Sequence, residues 1–317
     1  SNNFAQIIQT TLSPNQAPKP PSNWSAKNQL GFDLSQIAFV NWSAGRTSSI
    51  SGLFKGEFSR TYLKGNHKWF NELIMKYGLN KQEDIETRKT DDAIQFNSTY
   101  GFRKDTASNW YYSAKFNFNT QFTNGYNYPN RDTPISRPFA PAYVFLGAGA
   151  ENSNKEKNRT FYFSPITLKT TLVLDQNLAN QGSFGVKKAV YIADPLDPTQ
   201  QILIEEGQKV KAEFGILLTA YMKNEIYKDV FYENRLTLYT DYLNRFGNVD
   251  IDYDTRLDLV VNAYVKANIG VHLIYDDDIK NKKEVIDPTT GSKSQVTEGP
   301  KMQLRQVLGV GLVYAFK

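Results

Sequence analysis

The sequence predicts an all-β fold: a transmembrane antiparallel up-and-down β-barrel of about twelve strands, of the bacterial outer-membrane type, with short periplasmic turns and long extracellular loops. Three observations predict it. The last segment alternates and closes on an aromatic one residue before the end, with Leu304, Leu308, Val310, Leu312, Tyr314 and Phe316 on one face and Arg305, Val307, Gly309, Gly311 and Val313 on the other. The longest apolar run, residues 142–150, is far short of the roughly 20 residues a spanning helix requires. Aromatic residues make up 14% of the chain, with 19 Tyr and 20 Phe, as expected of a β-rich chain with aromatic girdles at both membrane interfaces. Tyr314 and Phe316 are the expected insertion signal, and Lys317 after them departs from the usual ending.

The chain divides into residues 1–30 and 31–317. In the first part, residues 13–23 are rich in Pro and Asn, which favours an extended periplasmic linker, with a plug in the lumen as the alternative. The barrel part begins with alternating segments at residues 32–44, 48–63 and 68–80. The fourth, 92–104, sets Ile94, Phe96, Tyr100 and Phe102 against Gln95, Asn97 and Thr99. The fifth, 109–122, sends Phe116, Phe118 and Phe122 outward and Ser113, Lys115, Asn117, Asn119 and Gln121 inward. The sixth is 142–152. The seventh, 160–175, carries Pro165, which a strand interior tolerates only at a bulge; its apolar phase shifts there from Phe161 and Phe163 to Ile166, Leu168 and Leu172. Segments 209–223 and 230–243 follow, and then 249–265, with Asp252, Asp254, Arg256, Asp258 and Asn262 opposite Ile251, Tyr253, Leu257, Leu259 and Val261. Segments 268–276 and 301–316 complete the set.

Alternation alone would also suit a soluble sandwich, and the connections separate the two. Short links at 64–67, 105–108, 153–159, 224–229 and 266–267 alternate with longer ones at 81–91, 123–141, 176–208 and 277–300. Short turns on one rim and long loops on the other are the asymmetry of outer-membrane barrels, and this order puts both termini in the periplasm.

The remaining composition excludes several function classes. There is no Cys, hence no disulfide framework, thiolate metal site or lipidated N-terminal Cys. The net charge of +5 is modest, with no Lys/Arg cluster to mark a nucleic-acid partner; attraction to anionic head groups is the simpler reading. Outer-membrane lipids and lipopolysaccharide are therefore the expected partners, together with other outer-membrane or periplasmic proteins. A secretion signal removed upstream of Ser1 is expected.

Several phrases go beyond a generic barrel. They are Phe39-Val40-Asn41-Trp42-Ser43-Ala44-Gly45, Tyr126-Asn127-Tyr128-Pro129, Phe139-Ala140-Pro141-Ala142-Tyr143 with Gly147-Ala148-Gly149, Phe163-Ser164-Pro165, Gly182-Ser183-Phe184-Gly185-Val186, Leu273-Ile274-Tyr275-Asp276-Asp277-Asp278 and Val307-Leu308-Gly309-Val310-Gly311. With them the chain, from Phe32 to Phe316, resembles a family of Bacteroidota outer-membrane proteins catalogued as a domain of unknown function. The resemblance implies an outer-membrane location and brings no catalytic residues.

Candidate chemistry is sparse. An enzyme would need a base and a nucleophile. His67 falls in an expected surface turn, and His272 faces the lumen without a marked serine partner, so no enzymatic activity and no cofactor are expected. Asp276, Asp277 and Asp278 lie at a rim, where carboxylates could hold Ca²⁺; a solvated edge is the preferred reading, since no calcium loop surrounds them. The Asn-X-Ser/Thr matches at Asn23, Asn41, Asn97 and Asn158 are at chance level. The lumen is the most informative surface. Its inward row includes Lys55, Lys76, Lys115, Lys169, Arg235, Arg256 and Arg305 against Glu57, Glu72, Glu213, Asp241, Asp252, Asp254 and Asp258, with His272 beside them. A selective pore lines its constriction with one sign, whereas interleaved signs read as cross-barrel pairs. Leu53, Leu217, Tyr239, Val260 and Tyr264 add bulk. The expectation is a largely filled lumen in a scaffold or accessory subunit of a larger assembly. A narrow porin-like channel for small solutes is the alternative.

Overall fold

The computed structural model describes residues 22–37, 48–197, 199–243, 246–276, 280–286, 293–300 and 302–316. Twelve strands close into one antiparallel barrel. They are β1 (Trp24–Ile37), β2 (Ser49–Lys64), β3 (His67–Gln82), β4 (Arg88–Phe102), β5 (Trp110–Thr120), β6 (Ala142–Asn154), β7 (Arg159–Leu172), β8 (Val210–Tyr227), β9 (Val230–Asp241), β10 (Asp250–Val260), β11 (Val265–Tyr275) and β12 (Gln303–Phe316). Each pairs with its neighbours in sequence, and β1 pairs with β12 to close the ring. A closed ladder leaves every wall strand with two neighbours, the condition for β-structure to cross a bilayer.

The period of two sorts the side chains. The outer face of β12 carries Leu304, Leu308, Val310, Leu312, Tyr314 and Phe316, all exposed, and the last two rings stack at 5.8 Å. Near the short turns Trp24 lies 5.2 Å from Tyr62 and 5.8 Å from Trp69, while Trp110, Tyr112, Tyr100 and Phe102 are exposed around the same rim. Exposed apolar side chains above a ring of Trp and Tyr are the surface a bilayer selects, and the fold is that of an outer-membrane-type barrel. Among the described residues no helix is long and apolar enough to cross a membrane.

The bulge expected at Pro165 is present: the β7 register shifts against both β6 and β8 between Phe163 and Thr167. Ser164 Oγ lies 2.8 Å from the carbonyl oxygens of both Ala148 and Ile166, so its single hydroxyl proton serves the bulged backbone at one of them. Gly149 is obligatory there, because a Cβ would sit 2.0 Å from the Phe163 carbonyl oxygen.

Short turns at residues 65–66, 103–109, 155–158, 228–229 and 261–264 share one rim with the start of β1 and the end of β12. Residues 121–141 and 173–209 form the long loops of the opposite rim. The first carries a small ribbon, Gly125–Tyr126 with Pro134–Ser136, and the second carries helix α1 (Gln176–Asn180) and a ribbon of Val190–Ala193 with Gln201–Glu205. Asp175 caps α1 by accepting from the Leu178 N–H at 2.9 Å and pairs with Arg137 at 3.1 Å, tying the two loops together. Ala140, Val173, Leu178, Ala179 and Val186 form a small core beneath them. At the ribbon's turn Thr199 donates to Asp197 through both its hydroxyl and its backbone N–H, which holds that carboxyl below the usual carboxylate range.

Four expectations are corrected. The first strand starts at Trp24, not Phe32, so the boundary at residue 30 between extension and barrel moves to the start of β1. The remainder of the proposed extension, residues 1–21, and its plug alternative lie outside the described residues, as do residues 38–44 of the first expected strand. β4 starts at Arg88, which makes the link at 83–87 short on the long-loop rim; Asp91 and Asp92 prolong that strand because they pair inward and with the loop. β10 ends at Val260 and β11 begins at Val265. The turn therefore moves from 266–267 to 261–264, and Tyr264 lies in it, exposed, instead of filling the lumen.

Candidate functional site

The inward faces of the twelve strands meet in a lumen crossed by charged side chains. Glu233 of β9 is its hub, 2.9 Å from Lys223 of β8, 2.9 Å from Arg256 of β10 and 3.1 Å from Arg235. Asp258 extends the network to Arg256 at 3.0 Å and to Lys223 at 3.7 Å. Arg235 also reaches Glu72 of β3 at 3.9 Å. β3 and β9 are diametrically opposed, with five strands between them either way round the ring, so this contact spans the full bore.

Other links cross the lumen as chords. Lys68 of β3 meets Glu151 of β6 at 2.7 Å. Lys115 of β5 donates to Thr219 Oγ1 of β8 at 3.0 Å and lies over the Tyr162 ring at 5.1 Å. Lys169 of β7 meets Asp250 of β10 at 2.6 Å and Glu213 at 3.9 Å, over the Tyr239 ring at 5.0 Å. Arg305 of β12 pairs with Asp91 of β4, and Lys55 with Asp33. On the β6–β9 wall Tyr162, Leu217 and Tyr239 form an apolar cluster, with Phe145 edge-on to Tyr239 at 5.8 Å. Leu217 and Tyr239 are each 3% exposed and Tyr162 is fully buried, as tightly enclosed as a soluble protein's core.

Free space remains on the other side of the lumen. One cavity of about 50 Å³ lies among Lys27, Asp33, Lys55, Glu57, Arg256 and Lys266. A second, also about 50 Å³, lies among Lys55, Lys76, Asp254, Arg256, His272 and Arg305. At about 10–15 Å³ per water position each holds a few waters. Lys55, Arg256 and Asn268 line both cavities, so the two abut.

The charged residues singled out for the lumen lie on this inward face, whereas Tyr264 does not. Lys55, Glu57, Lys76, Asp254, Arg256, Asp258, His272 and Arg305 line the two cavities. Glu72, Lys115, Lys169, Glu213 and Arg235 belong to the crossing pairs, and Asp241 is buried beside Tyr239's row. His272 Nε2 lies 2.8 Å from Asp252 Oδ1. His67 departs from expectation: it is the first residue of β3, outward-facing, with Nδ1 2.6 Å from Tyr100 Oη and its ring 5.3 Å from Phe102, part of the aromatic girdle. Asp276 follows β11, whereas Asp277 and Asp278 lie outside the described residues; among the described residues no group of three carboxylates or histidines could hold a metal ion.

The sequence reading passed over the hub. Glu233 stands two positions before Arg235 in the same strand, and the period of two places it inward. Lys68 and Glu151 were findable in the same way. Lys27, Asp91 and Lys266 were hidden because strand ends were misplaced around them, whereas Asp33 lay within the first expected strand.

Residues 34–126 match the model of a protein family of unknown function, DUF3078. No curated protein matches the sequence. Among solved structures the chain is similar to the COG4313 outer membrane channel from Pseudomonas putida F1, with 11% identity, a TM-score of 0.41 and coverage of 96% of this chain and 100% of that one. It is also similar to the translocator domain of autotransporter NalP from Neisseria meningitidis, with 9% identity, a TM-score of 0.36 and coverage of 93% and 90%. A third is the beta domain of the Bordetella autotransporter Brka, at 9% identity, a TM-score of 0.33 and coverage of 92% and 99%.

Proposed function

We propose that this chain is a non-enzymatic outer-membrane barrel that works as a scaffold or accessory subunit of a larger assembly, its lumen filled and its loops available to partners. The observation that carries the reading is the Arg235–Glu72 contact across the full bore. Arg235 is also held by Glu233 at 3.1 Å and lies over the Tyr221 ring at 4.7 Å. A conduit needs a continuous aqueous path, and a contact between opposite walls supports the reading that the bore is narrowed instead of open. The rim with short turns and both barrel ends is read as periplasmic, by the rule that long loops face outward. Lipids contact the outer belt, and partner proteins engage the loop rim.

The test is the native size of the protein extracted from membranes in mild detergent, after crosslinking in intact cells. The scaffold reading expects a heteromeric complex; a population made up of lone monomers contradicts it. Incubating the purified protein with extracted lipids is expected to leave the lipid profile unchanged.

A narrow channel for small solutes is the second reading, favoured by the two abutting cavities along the β10–β12 and β1–β2 wall. In that case charge reversal at Lys55, which lines both, shifts the ion selectivity of any current.

A further inference from the structure

One segment of the long-loop rim carries apolar side chains on both of its faces. In the ribbon of Val190–Ala193 with Gln201–Glu205 every residue is exposed. Tyr191 stands opposite Leu203 and Ile192 opposite Ile202, and successive pairs fall on opposite faces. Tyr191 is 45% exposed, Ile192 47% and Ile204 59%. A two-stranded ribbon standing alone is marginal in water, and one that is apolar on both faces gains by adding strands at its edge.

The edge of the first strand is open to such addition. The Asp194 N–H donates to the Gln200 carbonyl at 2.9 Å, so the even-numbered residues turn their backbone groups into the ribbon. The alternation of an antiparallel pair then turns those of Tyr191 and Ala193 outward. Ala189, one step earlier on that side, gives its N–H to the Asn180 carbonyl at 3.0 Å, which marks where the open edge begins.

The sequence along this edge is self-complementary. In Lys188-Ala189-Val190-Tyr191-Ile192-Ala193-Asp194, reading outward from Tyr191 sets Val against Ile, Ala against Ala and Lys against Asp. When two copies of the edge run antiparallel, outward backbone groups must face outward ones, so odd-numbered residues meet odd-numbered residues. Of those registers, only the one centred on Tyr191 sets Lys188 against Asp194 of the other copy, and it does so at both ends. Lys187 is paired within the ribbon, with Glu205 at 2.7 Å. Among the described residues Lys188 and Asp194 stand in no ion pair. The ribbon's other edge lacks the match: centred on Leu203 it sets Glu205 against Gln201.

We propose that the Val190–Ala193 edge binds the same edge of a second copy of this chain, the two ribbons joining into one antiparallel sheet about a two-fold axis at Tyr191. Lys188 of each copy meets Asp194 of the other, Val190 meets Ile192, and the two Tyr191 residues meet at the centre. The contact is homomeric and goes beyond the scaffold reading, since it forms between purified chains with no other subunit present.

The test uses the purified full chain in mild detergent. The chain has no Cys, so Tyr191→Cys introduces a single thiol per copy. Residues facing each other in a hydrogen-bonded pair have Cα atoms about 5.5 Å apart, within disulfide reach. Oxidation is expected to give a covalent dimer, whereas Leu203→Cys, exposed on the other edge, is expected to give none. With Tyr191→Cys present, Lys188→Asp and Asp194→Lys are each expected to weaken dimerisation about tenfold or more, because like charges then face each other at both ends. Mixing these two variants restores opposite charges at both ends, and crosslinking between them is expected to return to the native level. Asp194 also accepts from the Leu196 N–H at 2.8 Å, so recovery in the mixture, and not loss alone, carries the test. A chain that stays monomeric overturns the proposal, as does equal crosslinking through Tyr191→Cys and Leu203→Cys or a mixture that fails to recover. None of these outcomes bears on whether a heteromeric complex forms in cells.

Discussion

Glu233 shows what a single side chain does in this lumen. It is a carboxylate within 3.1 Å of three cations and 5% exposed, so its removal leaves Lys223, Arg235 and Arg256 repelling one another in a site with little water. Breaking a buried network from one side costs about 3–5 kcal/mol. Glu233→Gln is therefore expected to lower unfolding stability by about that much, read by guanidinium unfolding in detergent micelles. Lys223→Gln leaves Glu233 two other cations and is expected to cost less than half as much. Gly149 acts through shape instead: with the Phe163 carbonyl oxygen 2.0 Å from where its Cβ would be, Gly149→Val is expected to prevent closure of the β6–β7 ladder. Loss of the compact, heat-modifiable band on cold gels checks this.

Among the elements, β12 tests the membrane reading. Val310 is 56% exposed, and in a water-soluble barrel Val310→Lys would be nearly neutral. On a lipid-facing strand near mid-height it is expected to cost about 2–4 kcal/mol, measured by refolding into vesicles, whereas Lys at the neighbouring inward position 311 fails for a different reason, contact with Asp33. The strands themselves were legible in the sequence because lipid outside and charge inside enforce the period of two, and Pro165 announced its own bulge. What the pattern could not mark was where strands stop. β1 begins at Trp24 because that Trp packs on Tyr62 and Trp69, a contact with residues nearly forty positions away. β4 extends to Arg88 because Asp92 accepts from the Phe122 and Thr123 N–H groups of a distant loop. Those are tertiary causes, and they hid Lys27 and Asp91 as inward residues for the same reason. Glu233 was different: the periodicity exposed it, and only its role as hub required the closed ring.

For the whole molecule, the governing fact is that twelve strands make a bore narrow enough for one wall to touch the other. Arg235 meets Glu72 across it, Lys115 and Lys169 cross shorter chords, and Tyr162, Leu217 and Tyr239 cluster on one wall. The interleaved signs neutralise each other instead of lining a path for ions of one charge. Two small cavities abut along one wall. The outer surface carries the apolar belt and aromatic girdle, and on the opposite rim the long loops are tied together by Arg137 and Asp175.

The filled bore is tested most directly by single-channel recording of the purified full chain in a planar lipid bilayer. The account predicts no steady current from the native protein, and discrete openings only after the crossing contacts are removed together in Arg235→Ala/Glu72→Ala. A steady, ion-selective conductance from the unaltered protein would contradict it.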